Sequence, residues 1–382
     1  MEKMDKKDAA ERKISIRQVM IMFFFSAVSG IMRVTTPESG IFFSKVGWLS
    51  PVFAVLPVFI LIFILNKITE NHRDKSLAQI TEIIFGKIIG KIFLFLFLIH
   101  VLFFISFYLK NFGDKFVLSV FPDVSAMFFI IILLLFAIIA VCKNIESFAR
   151  FSEFSFIIIS VVFILSFFLI LFYINPKNLY PVTYYDTADI LKSSVPMISL
   201  WSLLTFSLFL GDNIRYSGKL ETDDADIIKN KFKRTAIKFM FIIALVNLLS
   251  LIAVIGIFNA ETAKNLSMPY FMIFKSIKTV GVIQSFETFF IILWAFTDFI
   301  MITYYMFIMS KISKTLFAVS EKSAKLFMYP AAFAILLLVY LANKFNFNTE
   351  YFYTNILSYS SVILGYIFPF LLLALGKIRR VL

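Results

Sequence analysis

Cysteine occurs once in 382 residues, as Cys142, and histidine twice, as His72 and His100. One thiol excludes an internal disulfide and a Cys-based metal site, and two histidines argue against a His-rich one. Charge is scarce as well. Asp, Glu, Lys and Arg make up 16% of the chain, against about 25% in soluble proteins. A Gly-rich phosphate loop, an HExxH pair and a Ser nucleophile with a plausible His base are all missing, so no enzyme, cofactor or metal is expected. No long Gly/Ser linker or low-complexity tract divides residues 1–382, which read as a single domain.

What is abundant is apolar. Hydrophobic residues make up 60% of the chain, with 51 Phe, and mean hydropathy is +0.90. A soluble domain of this size could not bury that much apolar surface. The composition is that of a polytopic membrane protein. The net charge of +13 would suggest nucleic acid in a soluble chain. Here cytoplasmic loops account for it, and no nucleic acid is expected.

A run of about 20 apolar residues crosses the hydrocarbon core as a helix. Ten such spans are expected, at 14–35, 47–66, 91–112, 124–142, 151–174, 191–211, 235–258, 284–311, 326–342 and 353–376. The first is too long for a cleaved signal peptide, and nine more follow it. Most Lys and Arg fall in the N-terminal tail, the even-numbered connections and the C-terminal end. That bias places both termini in the cytoplasm.

Two connections predict helices at the cytoplasmic interface, 76–90 and 221–234, after a cytoplasmic tail at 1–13. Ser76 and Gln79 form a capping-box pattern, and Leu77, Ile80, Ile84 and Ile88 then share one face. In the second, Thr222, Asp223 and Asp224 precede Lys229, Lys231, Lys233 and Arg234, the order a helix dipole favours.

Ionisable groups inside a span cost several kcal/mol and call for an explanation. Asp298 lies mid-way along span 8. On a wheel of ~3.6 residues per turn, Glu287 and Tyr305 fall within about 20° of it, and Trp294 lies one turn away. That stripe must face protein or water, for ligand, ion or proton binding or for plain packing. His100 lies mid-span among Phe103, Phe104 and Phe107, as a structural donor, a ligand contact or a proton relay. Glu146, Arg150 and Glu153 have the spacing of ion pairs along one helix, and so do Lys110 and Asp114.

Spans 1 and 6 look interrupted. Span 1 carries Ser26, Ser29 and Gly30, followed by Arg33 and Pro37. Span 6 carries Pro196, Trp201, Ser202, Thr205 and Ser207 before Gly211-Asp212. Such residues free backbone groups, which a membrane tolerates where they line a cavity or are satisfied by neighbours. Breaks five spans apart are what a five-plus-five inverted repeat requires, and they point to a binding site between the repeats.

Several stretches, in order, carry a resemblance. They are Lys13-Ile14-Ser15 with Arg17-Gln18, Gly47-Trp48-Leu49-Ser50, Ser76-Leu77-Ala78-Gln79-Ile80, Phe85-Gly86-Lys87-Ile88-Ile89-Gly90-Lys91, and Ala149-Arg150-Phe151-Ser152-Glu153. The chain resembles the B subunit of spore germinant receptors, the GerAB family, within the amino acid–polyamine–organocation transporter superfamily. The resemblance implies an all-α integral membrane protein of ten transmembrane helices, a five-plus-five inverted repeat with broken helices 1 and 6. It implies a sensor of a small nutrient germinant, working beside A and C subunits in the spore inner membrane. It places the ligand against Ser29, Gly30 and Ile31 at the first break and Ser202, Thr205 and Phe206 at the second. There, backbone of helix 1 would receive a carboxylate and backbone of helix 6 an amine. Asp298, Trp294 and His100, singled out above, complete the candidate site. A Phe- and Trp-rich lining with few charges favours a small neutral amino acid. A proton-coupled amino acid transporter of the same fold is the alternative, with Asp298 or His100 carrying the proton.

Overall fold

In hydrocarbon a backbone must satisfy its own hydrogen bonds, and the helix does so within one segment. The computed structural model follows that rule. It describes residues 14–34, 44–120, 123–215, 230–266, 269–276, 284–345 and 347–380. Among them, eight helices are long and apolar enough to cross a membrane, and two shorter apolar helices begin at Ile16 and Ala126. Together they match the ten expected spans. The spans are Ile16–Val34, Ser50–Glu70, Lys87–Val120, Ala126–Cys142, Ile145–Ile170, Thr187–Ser202, Lys231–Lys264, Gln284–Leu316, Met328–Lys344 and a tenth that runs from Thr349 to Ile378.

Large apolar side chains divide between two environments. Phe23, Phe25, Phe97, Phe104, Phe206 and Phe209 are fully buried between spans 1, 3 and 6, whereas Phe154 and Phe168 of span 5 and Phe333 of span 9 point outward. The outward set suits lipid, and the chain is an integral membrane protein.

Three local departures from regular helix shape the interior. Span 6 is α-helical to Ser202 and continues as an 11-residue 3₁₀ helix, Leu203–Asn213, in which Leu203 to Gly211 are all buried. Runs of 3₁₀ helix beyond three or four residues are uncommon, and this one marks the expected interruption of span 6. Span 10 contains two π-helical stretches, Tyr353–Leu357 and Ile363–Ile367, on either side of Ser358–Val362. Span 7 kinks at Asn259, whose φ is 60°, and the Asn259 Oδ1 accepts the Thr262 N–H at 2.9 Å to start a new turn.

Span 1 differs from expectation. Its backbone stays α-helical through Ser29 and Gly30 to Val34, so the chain does not open at the register expected. One residue with a helix-compatible backbone does not unwind a helix when the surrounding turns hold. Residues 35–43 lie outside the described residues.

Both ends of the described chain meet at one, basic end of the bundle. Ile14–Ser15 (β1) pairs in parallel with Ile214–Arg215 (β2), in register Ile14 to Ile214. Ser15 and Gln18 cap span 1 reciprocally, at 2.9 and 3.2 Å. The helix Leu77–Phe85 opens with the Ser76–Gln79 capping box. It corrects the expected face, however. Leu77, Ile80 and Ile84 are buried within the protein rather than turned to lipid, and Gly86, at φ 84°, ends the helix before Ile88. Arg379 donates to the Ile84 carbonyl at 2.6 Å. Of the other expected interfacial helix, residues 221–229 lie outside the described residues, and Lys231–Arg234 form the first turn of span 7. Glu153 is also used differently: it pairs with Arg17 at 3.3 Å and accepts from Gln18 at 3.1 Å, joining span 5 to span 1.

Candidate functional site

Ser26 and Ser29 of span 1 turn to span 8. The Ser29 hydroxyl donates to Oδ1 of Asp298, and Ser26 Oγ lies 2.7 Å from the Tyr305 hydroxyl. Ser29 and Ser26 are one turn apart, and Asp298 and Tyr305 two turns apart, so the spans run antiparallel along a hydroxyl-lined seam. Asp298, Ser26 and Ser29 have no exposed surface. A buried carboxylate is tolerated when donors reach it, and Ser29 is one of them.

Tyr305 joins this seam to span 6. Its ring packs 4.6 Å from Phe104 and 6.4 Å from Phe206. Phe206 in turn lies 5.4 Å from His100. His100 reaches two serines of span 10, Ser360 at 2.9 Å from Nδ1 and Ser361 at 3.4 Å from Nε2. A neutral imidazole with hydroxyls on both nitrogens can donate at one and accept at the other.

Along span 6, three hydroxyls at successive turns donate to backbone carbonyls of span 10. Ser199 bonds Ser358 at 2.9 Å, Ser202 bonds Ser361 at 2.8 Å and Thr205 bonds Gly365 at 2.7 Å. The π-helical stretches of span 10 leave irregular backbone beside span 6, and the three hydroxyls satisfy part of it. The approach is close: a Cβ on Gly365 would lie 2.5 Å from Ser202 Cβ. Ser207, two residues beyond Thr205, contacts the Tyr304 hydroxyl at 2.8 Å.

Trp294 is buried, edge-on to Phe112 at 5.8 Å. Its indole N–H has no hydrogen-bond partner among the described residues. It lines an apolar cavity of about 200 Å³ with Phe24, Val28, Phe163, Leu249 and Thr297, between spans 1, 5, 7 and 8. The backbone of Glu287 is helical, and its side chain lies outside the described residues, as do the surroundings of Gly30 and Ile31.

Of the residues expected from sequence, Ser29 and Asp298 are bonded, and Phe206 and His100 are in ring contact. Trp294 lies one turn from Asp298. Ser202 and Thr205 are near this group but spend their hydroxyls on span 10. Ser26, Tyr304 and Tyr305 extend the seam, and Ser360 and Ser361 bring in a span that sequence reasoning passed over. The signal for it was present as Ser358-Tyr359-Ser360-Ser361 followed by Gly365 inside an apolar run.

The fold is shared with transporters. A crystal structure of a mutant manganese transporter from Eremococcus coleocola superposes with a TM-score of 0.62 at 15% identity, covering 94% of this chain and 78% of that one. The same transporter in complex with an aromatic bis-isothiourea substituted compound gives 0.63 at 14% identity, with the same coverage. The chain therefore shares the fold of this transporter. Residues 13–346 match the spore germination protein family, and the chain belongs to it. Comparison with curated proteins finds no match. The motifs that carried the resemblance have structural work at the ends of spans. Ser15 and Gln18 cap span 1, and Ser50 accepts at its carbonyl from Ser194 of span 6 at 3.1 Å.

Proposed function

We propose that this protein is the membrane subunit of a spore germinant receptor, which binds a small neutral amino acid at the seam between spans 1 and 8 and triggers germination. One observation carries the reading within the family: the Ser29–Asp298 bond joins a carboxylate without exposed surface to the span expected to hold the ligand. An ammonium group entering the seam would pair with Asp298 and displace the Ser29 hydroxyl. That exchange loosens span 1 from span 8, and the helix would open at Gly30 and Ile31 for their N–H groups to receive the ligand carboxylate. Phe206, Trp294 and His100 would bound its side chain, with Ser202 and Thr205 holding span 6 in place.

In this reading the protein lies in the spore inner membrane beside A and C receptor subunits. Both termini are cytoplasmic, consistent with the Lys and Arg bias, and residues 1–382 act as one transporter-like domain. The 1–13 tail and the 76–90 and 221–234 connections lie on the cytoplasmic side. Spores carrying Asp298→Asn test it. Loss of the amino acid response at normal protein level is expected, and a normal response would exclude the seam as the site.

Proton-coupled amino acid transport is the second reading, favoured by the buried Asp298 on a transporter fold. Liposomes separate the two. Uptake driven by a pH gradient supports transport, and specific binding without uptake supports the receptor.

A further inference from the structure

A second cavity lies away from the seam, at the end of the bundle opposite β1 and β2. It measures about 240 Å³ and is lined by Phe103, Phe107 and Lys110 of span 3, Ala342 and Phe345 at the end of span 9, and Phe352 of span 10, among others. Its chemistry is one-sided. The Ser106 hydroxyl at its wall is spent on the Leu102 carbonyl at 2.8 Å. Lys110 is left as the polar group, largely buried and 2.6 Å from Asp114 Oδ2.

A sugar or a free amino acid would find no hydrogen-bond set here. A hydrocarbon chain with a negative group at one end would. The volume is below the about 300–1,000 Å³ of pockets that enclose whole small molecules, which suits a chain entering only in part. The cavity sits where the spans end, at the level where aromatic and basic side chains meet lipid headgroups. A second basic group lies near its mouth. Lys344 holds its ammonium 5.9 Å from the ring of Phe345, a lining residue. Asp114 is the carboxylate among these described groups, so the mouth is net positive.

We propose that the cleft between spans 3, 9 and 10 binds an anionic phospholipid, one acyl chain lying among Phe103, Phe107, Phe345 and Phe352 and the phosphate on Lys110 and Lys344. Asp114 holds Lys110 when no lipid is present and competes with the phosphate. A zwitterionic headgroup brings its own cation to a positive mouth and binds less well.

Native mass spectrometry of the full-length protein, purified with equal amounts of phosphatidylglycerol and phosphatidylcholine, reads this directly. Phosphatidylglycerol should be retained about thirtyfold better, given about 1 kcal/mol for each of the two Lys near a headgroup. Lys110→Gln with Lys344→Gln should reduce that retention to the phosphatidylcholine level. Asp114→Asn, which frees Lys110, should increase it. Ala342→Trp, which fills the cleft, should lower retention of both lipids. Equal retention of the two lipids by the unaltered protein would overturn the proposal. So would wild-type retention of phosphatidylglycerol by the Ala342→Trp protein.

Discussion

Ser29 of span 1 donates its hydroxyl to Asp298 of span 8, a carboxylate with no exposed surface. The two spans are thereby joined by a bond that a ligand cation could replace. Ser29→Ala removes a donor from a buried acceptor, which costs about 1–3 kcal/mol. Thermal unfolding in detergent should register a lower Tm for Ser29→Ala. Asp298→Asn keeps the carbonyl oxygen and loses the charge, so binding of an amino acid should fall more than stability does. Equal losses in both measurements would make the carboxylate a packing element.

Gly365 is required by the approach of span 6. Gly365→Ala would place a methyl group 2.5 Å from Ser202 Cβ and 2.6 Å from the Ser202 carbonyl oxygen. The backbone must then shift, at a cost of about 1–3 kcal/mol for overpacking. Thr205→Val, which loses only the bond to Gly365, should cost about 1 kcal/mol. A Tm for Gly365→Ala equal to that of the unaltered protein would show that spans 6 and 10 are not held this tightly.

Lys311, nearly buried at the basic end of span 8, ties Asp212 at 3.1 Å and Glu321 at 3.6 Å. Lys311→Met leaves Asp212 with Lys314 at 3.9 Å. The loss should fall at the lower end of the about 3–5 kcal/mol typical of a broken buried pair, because Lys314 remains. Added salt should change the Tm of the unaltered protein little, since Lys311 is shielded from solvent. A pair that weakens in step with ionic strength would be an exposed one.

Trp294 separates structure from binding. Its indole N–H has no partner among the described residues, so Trp294→Phe breaks no hydrogen bond and should lower Tm only by the packing lost with the smaller ring. The germinant response should still weaken if that N–H meets the ligand. Unchanged dose dependence in spores would assign Trp294 to packing alone.

The ten spans were legible because each is an apolar run of about the length a membrane requires, and nothing else in the chain competes for that reading. Asp298 was legible for the converse reason, as a carboxylate at the middle of such a run. Its partner was not. Ser29 looked like part of a helix break, because serine followed by glycine weakens a helix in isolation. The packed neighbours of span 1 hold it helical, and the same serine becomes a donor. The role of span 10 was hidden differently. π-helical stretches follow from how Ser199, Ser202 and Thr205 dock against the backbone, and no periodicity in residues 353–376 signals a partner that lies about 160 residues earlier in the chain. The buried face of Leu77–Phe85 misled for a related reason. An amphipathic pattern shows that one side is apolar, not whether lipid or protein covers it.

The pairing of Ile14 with Ile214 ties the start of span 1 to the end of span 6 through backbone rather than side chains. Span 1 carries Ser29 of the proposed seam, and span 6 carries Phe206 beside it. Joined at one end by backbone, spans 1 and 6 cannot separate there without breaking the Ile14–Ile214 pairing.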